Sequence, residues 1–352
     1  MLTIDGSEGE GGGQILRTSL SLSLCTGQPF CLANIRANRD TPGLRPQHLQ
    51  AVTAAAQLAN AEVTGAAVGS RELLFQPRLF GDAIPPGAYR FDIGTAGSTS
   101  LVLQTVLLPL LLSRGSSTVT LLGGTYNTKA PPFDFVDRVF APMLRRLGIS
   151  LTLRLRQPGF YPAGGGQIVA EIAPLPDGAR SLRRLDLPSR GAILRRTATV
   201  VLARLPAQIA EREQAVLKDR LGWPADAYTL RQIPRSQSPG NVVLLEIESE
   251  HVTELVSCVG ERGVSAEQVA ESAASEALHY LGCGVPVGEH LADQLLLPLA
   301  LGRGGSYRTV EPSLHTRTQA DIIRRFLPQV AITLRPESAQ VTHITVETGA
   351  AS

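Results

Sequence analysis

One pattern returns along this chain, and self-similarity at intervals constrains a fold more tightly than composition does. Leu108-Pro-Leu-Leu-Leu-Ser-Arg-Gly115 resembles Leu297-Pro-Leu-Ala-Leu-Gly-Arg-Gly304, and a glutamine (Gln104, Gln294) precedes each. Gly-Gly-Gly-Gln occurs twice, at 11–14 and at 164–167. Leucine-rich helices can look alike by chance, but the shared proline and Arg-Gly favour duplication. Periodicity predicts a first copy with a helix over 11–24, a strand over 29–35, a helix over 45–59 and strands over 62–67 and 72–76. A second copy reads as a strand over 89–93 and a glycine turn, Gly94-Thr-Ala-Gly-Ser98, opening a helix to Leu112. A strand over 118–122, a helix ending near Gly148 and strands over 150–156 and 167–172 complete it. The third copy begins at Gly288 and runs to the carboxyl end. Two helices and four strands per copy put the helices on one face of each sheet, an α+β class.

Between the second and third copies the texture changes. Residues 182–286 read as a strand over 198–203, a charged helix over 207–221, strands over 242–249 and 251–259, and a long helix over 265–281. Proline and glycine punctuate both joins. This is expected to be a smaller inserted α/β domain, leaving residues 1–181 and 287–352 to a large domain of three βα-rich repeats. A chain of 352 residues is long enough for two cores.

Chemistry concentrates in Glu311-Pro-Ser-Leu-His-Thr-Arg-Thr-Gln-Ala-Asp321. An apolar strand ends at Val310, Pro312 breaks it, and a helical pattern (Ile322, Ile323, Phe326, Leu327) follows. His315 therefore sits near a helix's first turn, where free N–H groups welcome a phosphate beside the ring. A helix cap or plain surface residue is the alternative. Gly9-Glu-Gly-Gly-Gly-Gln14 also precedes a helix, with Arg17 one turn in. It is not the dinucleotide fingerprint, because Gln14 stands where the last glycine belongs. Glu10 there could hold Mg²⁺ or a ribose, or be a solvated turn residue. Arg36-Ala-Asn-Arg39 and Arg45-Pro-Gln-His48 occupy the loop of the first copy that corresponds to the His315 loop of the third. They read as a grip on an anion or as a solvated basic loop. Asn127-Thr-Lys-Ala-Pro-Pro-Phe133 fills the same place in the second copy and offers an apolar wall to a base. If the three units pack about an axis, these loops converge.

Composition excludes several classes. Net charge is +2, so nucleic acid would be held by a local cluster and not by the whole surface. Lysine occurs only at Lys129 and Lys218, and neither follows a glycine, so no P-loop exists. Neither precedes the x-Asp-Gly of a lysine-adenylating ligase, leaving His315 as the candidate for covalent nucleotidylation. The four cysteines show no metal-ligand spacing. No signal peptide is read at the amino terminus, and the apolar run 101–112 is too short to span a bilayer. A cytoplasmic, soluble protein without membrane partners is expected.

These motifs, with Phe160-Tyr-Pro-Ala-Gly-Gly-Gly166 and Gly288-Glu-His-Leu-Ala-Asp-Gln294, resemble the RNA 3′-terminal phosphate cyclase family along essentially the whole chain. The resemblance implies an enolpyruvyl-transferase-like large domain with a smaller insert. It implies ATP and Mg²⁺ (or Mn²⁺), and an RNA bearing a 3′-phosphate as partner. His315 matches the nucleophile that becomes histidine–AMP. Gln104 and the segment His290, Leu291, Ala292, Asp293, Gln294 match ATP-binding positions, and Pro131 and Phe135 match an adenosine pocket. Glu10, Arg17, Arg36, Arg39, Gln47 and His48 match polar positions around substrate and nucleotide, Glu10 being the metal candidate. His290 stands where a tyrosine stacking on adenine is expected, and Gln319 where an asparagine is usual. The rival readings are a non-catalytic RNA-processing scaffold of the same fold and an enolpyruvyl transferase relative. The sequence sets no oligomeric state; a homodimer is one arrangement open to it.

Overall fold

A computed structural model describes residues 1–94 and 96–349. The first segment runs β1 (Leu2–Asp5), α1 (Gly13–Thr26), β2 (Phe30–Ala33), α2 (Pro46–Ala59), β3 (Glu62–Thr64) and β4 (Leu73–Gln76). The second runs β5 (Ala88–Asp92), α3 (Thr99–Leu112), β6 (Ser117–Gly123), α4 (Phe133–Phe135), α5 (Ala141–Arg146), β7 (Leu151–Gln157) and β8 (Gly166–Ile172). β9 (Leu185–Leu187) is followed by β10 (Ile193–Ala203), α6 (Ala207–Leu221), β11 (Tyr228–Ile233), β12 (Gly240–Ser249), β13 (Thr253–Val259) and α7 (Ala266–Cys283). The chain ends with α8 (Glu289–Leu301), β14 (Gly305–Val310), α9 (Leu314–Phe326), β15 (Val330–Pro336) and β16 (Val341–Thr348).

Four four-stranded sheets result, ordered β1-β2-β4-β3, β5-β6-β8-β7, β9-β14-β16-β15 and β11-β10-β12-β13. Three of them share one pairing. Their first two strands are parallel across a helical crossover, and the last two join antiparallel, as in β1/β2, β2/β4 and β3/β4. The corresponding pairs are β5/β6, β6/β8 and β7/β8 in the second sheet, and β9/β14, β14/β16 and β15/β16 in the third. In the fourth sheet β10 is parallel to β11 and antiparallel to β12.

The strands placed from sequence do not include β1, β9 or β11, nor β15 and β16 of the third copy. β9 bears on the domain limits: Leu185–Leu187 pairs with Gly305–Tyr307, so the carboxyl-terminal sheet begins inside the stretch assigned to 182–286. Three residues carry too little alternation to be read as a strand; only pairing across 120 residues of chain makes one of them.

The helices of the three like sheets meet one another. α1 packs against α2, α3 and α9, and α8 packs against α9. α3 is buried nearly all round, which is why Val102, Leu103, Val106, Leu107, Leu110 and Leu111 form a run without a polar face. Strands β10 and β12 serve two cores by alternation. Ala198, Val200 and Leu202, with Val243 and Leu245, pack under α7; Val201 and Ala203, with Val242 and Leu244, join the large core. A buried polar cluster fastens the fourth sheet to the second: Arg231 donates twice to Asp134 at 3.0 Å, and Tyr126 donates to the same carboxylate at 2.7 Å. Among the described residues no helix is long and apolar enough to cross a membrane.

Candidate active site

His315 is the second residue of α9. Ser313 caps that helix, its Oγ accepting from the backbone N–H of Thr316 at 3.4 Å, a contact of the kind that contributes about 1 kcal/mol. The imidazole is turned by Gln14, in the first turn of α1: Nδ1 lies 2.7 Å from Gln14 Oε1. The amide nitrogen of Gln14 lies 2.8 Å from Asp293 Oδ2 on α8 and 3.3 Å from Gln319 Oε1 on α9. Both of those are acceptors, so the NH₂ faces them and the carbonyl oxygen faces the ring. Nδ1 therefore carries the donated proton, and in the neutral ring the lone pair falls on Nε2. Thr18 Oγ1 donates to Gln319 Oε1 at 2.5 Å and fixes the far end of the chain. Burial raises the Asp293 carboxyl to about 6, against the pull of His290, His315 and Arg17. Near neutral pH it is ionised and accepts.

The ring opens on a cleft of about 1130 Å³ to which all three like segments contribute. Gly12, Gly13, Arg17, Arg36, Arg39, Gln47 and His48 come from the first, Gln104, Lys129, Pro131 and Phe135 from the second, and His290, Asp293, Gln294 and His315 from the last. The three loops singled out in the sequence thus reach one cavity. Leu291 and Ala292 do not line it; at 0% and 1% exposure they are core residues, because consecutive helical positions cannot all face one side. Thr95, within the expected glycine turn, lies outside the described residues. A wide i→i+5 turn at 136–140, closed by the Ala141 N–H bonding to the Val136 carbonyl, separates Phe135 and Phe140, both of which line the cleft.

The polar residues divide by what they touch. Arg39 Nη2 lies 2.5 Å from Glu10 Oε1 and 2.7 Å from the Glu10 carbonyl. Glu10 Oε2 is buried with no hydrogen-bond partner. Arg36 spends its guanidinium on its own loop, donating to the carbonyls of Thr41 (2.6 Å) and Gly43 (3.2 Å). Burial lowers Arg17 to about 10, with Glu10 and Asp293 opposing, so it remains a cation. His48 is 4% exposed; its Nδ1 accepts the Arg45 backbone N–H at 3.1 Å. Burial, then Arg17, Arg36 and Arg45, depress the His48 ring to about 3. A Cβ on Gly13 would stand 2.5 Å from His48 Nε2, so only glycine fits against that ring. His290 Nε2 lies 3.5 Å from Glu276 Oε1 on α7.

Residues 8–333 match the family model described as RNA 3′-terminal phosphate cyclase. Over 328 residues the chain is 49% identical to the RNA 3′-terminal phosphate cyclase of Koribacter versatilis (strain Ellin345), covering 93% of this chain and 90% of that protein. The chain belongs to the RNA 3′-terminal phosphate cyclase family. In the cleft of this family member a histidine is held by a side-chain relay.

Sequence reasoning missed the relay of this cyclase-family site. In the sequence Gln14 stands out only as the residue closing a glycine run, and Gln319 only as a departure from the usual asparagine. The available signal was local: Gln14 and Thr18 stand four apart on one helix, and Gln319 stands four past His315 on another. Only packing of α1 against α9 reveals that the two faces meet. The longer glutamine at 319 reaches both Thr18 and Gln14.

Proposed function

We propose that the protein converts an RNA 3′-terminal phosphate into a 2′,3′-cyclic phosphate at the expense of ATP, through a histidine–AMP intermediate. The fold is read as three copies of one βα unit, enolpyruvyl-transferase-like, with a smaller domain inserted between the first two strands of the third. The observation that carries the reaction is the Nδ1–H···Oε1 bond from His315 to Gln14, which in the neutral ring puts the lone pair on Nε2. In the first step His315 Nε2 attacks the α-phosphorus of ATP, an N–P bond forms, and pyrophosphate leaves. Positive charge grows on the ring; the Gln14 carbonyl, whose amide donates to Asp293, accepts the Nδ1–H and stabilises it.

In the second step an oxygen of the RNA 3′-phosphate attacks the same phosphorus. The N–P bond breaks, a neutral imidazole leaves, and RNA(3′)pp(5′)A results. In the third the neighbouring 2′-OH attacks the 3′-phosphorus, its proton passes to solvent, and AMP departs. A phosphate monoester lacks a good leaving group, and adenylation supplies one; closure within one ribose then has the advantage of an intramolecular step.

Arg17 and Lys129 line the cleft and would meet the phosphates of nucleotide and RNA there. Pro131 and Phe135 offer apolar faces to adenine. Gln294 Oε1, buried without a hydrogen-bond partner, offers an acceptor to a nucleotide amine or hydroxyl. The orphaned Glu10 Oε2 fits a divalent cation, and a lone carboxylate suits Mg²⁺ that draws its other ligands from phosphates and water. Mg²⁺ or Mn²⁺ held there would offset charge on the triphosphate.

The test is an oligoribonucleotide 3′-phosphate incubated with protein, ATP and Mg²⁺. Its end should become resistant to phosphatase, with AMP and pyrophosphate released. An end that stays phosphatase-sensitive, with no labelling of the protein by α-labelled ATP, would return the field to the scaffold or the transferase.

A further inference from the structure

We infer that Tyr161 is a stacking platform for a base at the 3′ end of the RNA, and that the 234–239 loop of the fourth sheet guides the strand's phosphates away from the cleft. This rests on the RNA-end reading above. The hairpin between β7 and β8 turns at 158–165, and two adjacent aromatics there meet opposite fates. Phe160 is 2% exposed, with its ring stacked on Tyr126 (centroids 5.0 Å apart, 14° between planes). Gly240 lies so close that a Cβ there would fall 2.1 Å from that ring. Tyr161, the next residue, is 79% exposed, yet it lines the cleft that contains His315. A large ring held in water on an anchored turn has its face free for a partner, and bases stack on such rings with little regard to sequence.

The fourth sheet sets the position of this hairpin. Ala163 N–H donates to Ser238 Oγ at 3.0 Å. The Gln237 amide covers Gly165, which has φ +70° and space for a Cβ only 2.4 Å from the Gln237 side chain. Arg204 Nη1 donates to the Gln237 carbonyl at 3.0 Å. Arg204 is exposed beside Gln237, Arg235 is exposed two residues earlier on the same loop, and Lys129 lines the cleft. An exposed ring with exposed cations on the loop that anchors it suits a single strand with its phosphates and a splayed base. Adenine fits the ring less well. A mononucleotide is largely enclosed by its site, whereas a polymer must leave by the open rim.

The test uses an oligoribonucleotide 3′-phosphate with 2-aminopurine as its last nucleotide, read by fluorescence without ATP. Wild type and Tyr161→Phe should quench the probe. Tyr161→Leu should lose the quenching and bind about tenfold more weakly, with an unchanged KM for ATP in self-labelling. Arg204→Gln with Arg235→Gln should weaken a ten-nucleotide strand but not a dinucleotide, and flatten the salt dependence. Unaltered RNA binding by Tyr161→Leu, or a raised KM for ATP in its place, overturns the inference. Quenching needs no turnover, so a wild-type protein that forms no cyclic phosphate sinks the proposed reaction while Tyr161 is still judged by the probe.

Discussion

His48 and His315 occupy the same place in two sheets of the same strand order: each stands in the first turn of the helix that follows the second strand. Their chemistry diverges through their neighbours. His48 turns Nδ1 back onto the Arg45 N–H, closes the cap of its own helix, and is buried among three arginines. His315 leaves the capping to Ser313 and spends Nδ1 on Gln14, a residue 301 positions away. A helix start favours an anion beside either ring. What separates structural from chemical use is which nitrogen is engaged, and by whom.

The largest effect expected is on labelling by α-labelled ATP. His315→Ala should abolish acid-labile, alkali-stable label, a loss of more than about a thousandfold, as for removal of a nucleophile. His48→Gln should retain label within about tenfold, since glutamine at that position can still accept the Arg45 N–H in a capping box. Label that survives His315→Ala and vanishes with His48→Gln would invert the comparison.

Gln14→Leu and Asp293→Asn come next, each slowing self-adenylation by about 10- to 100-fold, the usual cost of losing a group that orients a reactive imidazole. The Asp293 carboxyl, raised by burial to about 6, is ionised near neutral pH. An Asp293→Asn protein that adenylates itself there at the wild-type rate would remove Asp293 from the relay.

The smallest effect is on stability. The His48 ring sits at about 3 when folded and near its ordinary 6.5 when unfolded. Between these values the unfolded chain binds more protons, so the contribution is whole above 6.5 and lost as pH falls toward 3. His48→Gln should flatten the urea-midpoint profile over that window, whereas His315→Ala should leave the same limb in place. Equal slopes in wild type and His48→Gln would mean that the ring is not held neutral.

Much of the local architecture is legible without coordinates. The helices over 46–59, 99–112, 207–221 and 314–326 follow from apolar periodicity with proline, serine and glycine at their ends. β9 and β11 were not legible, being short or half-exposed strands whose identity comes from their partners. The site divides in the same way. His315, Arg17 and Glu10, which line the cleft, stand out in the sequence because helix starts and glycine runs announce themselves. Leu291 and Ala292 belong to the same linear segment as Asp293, but their side chains lie in the core, because only one face of a helix reaches the cleft.

By itself the sequence determined which residues stand at helix starts, which runs repeat, and which chemistries lack their motifs, since all of these depend on neighbours within a few positions. Only the tertiary structure decided that Gln14 reaches His315 and that Asp293 reaches Gln14. Hydrogen-bond partners hundreds of residues apart leave no mark on local periodicity; they are chosen when helices pack.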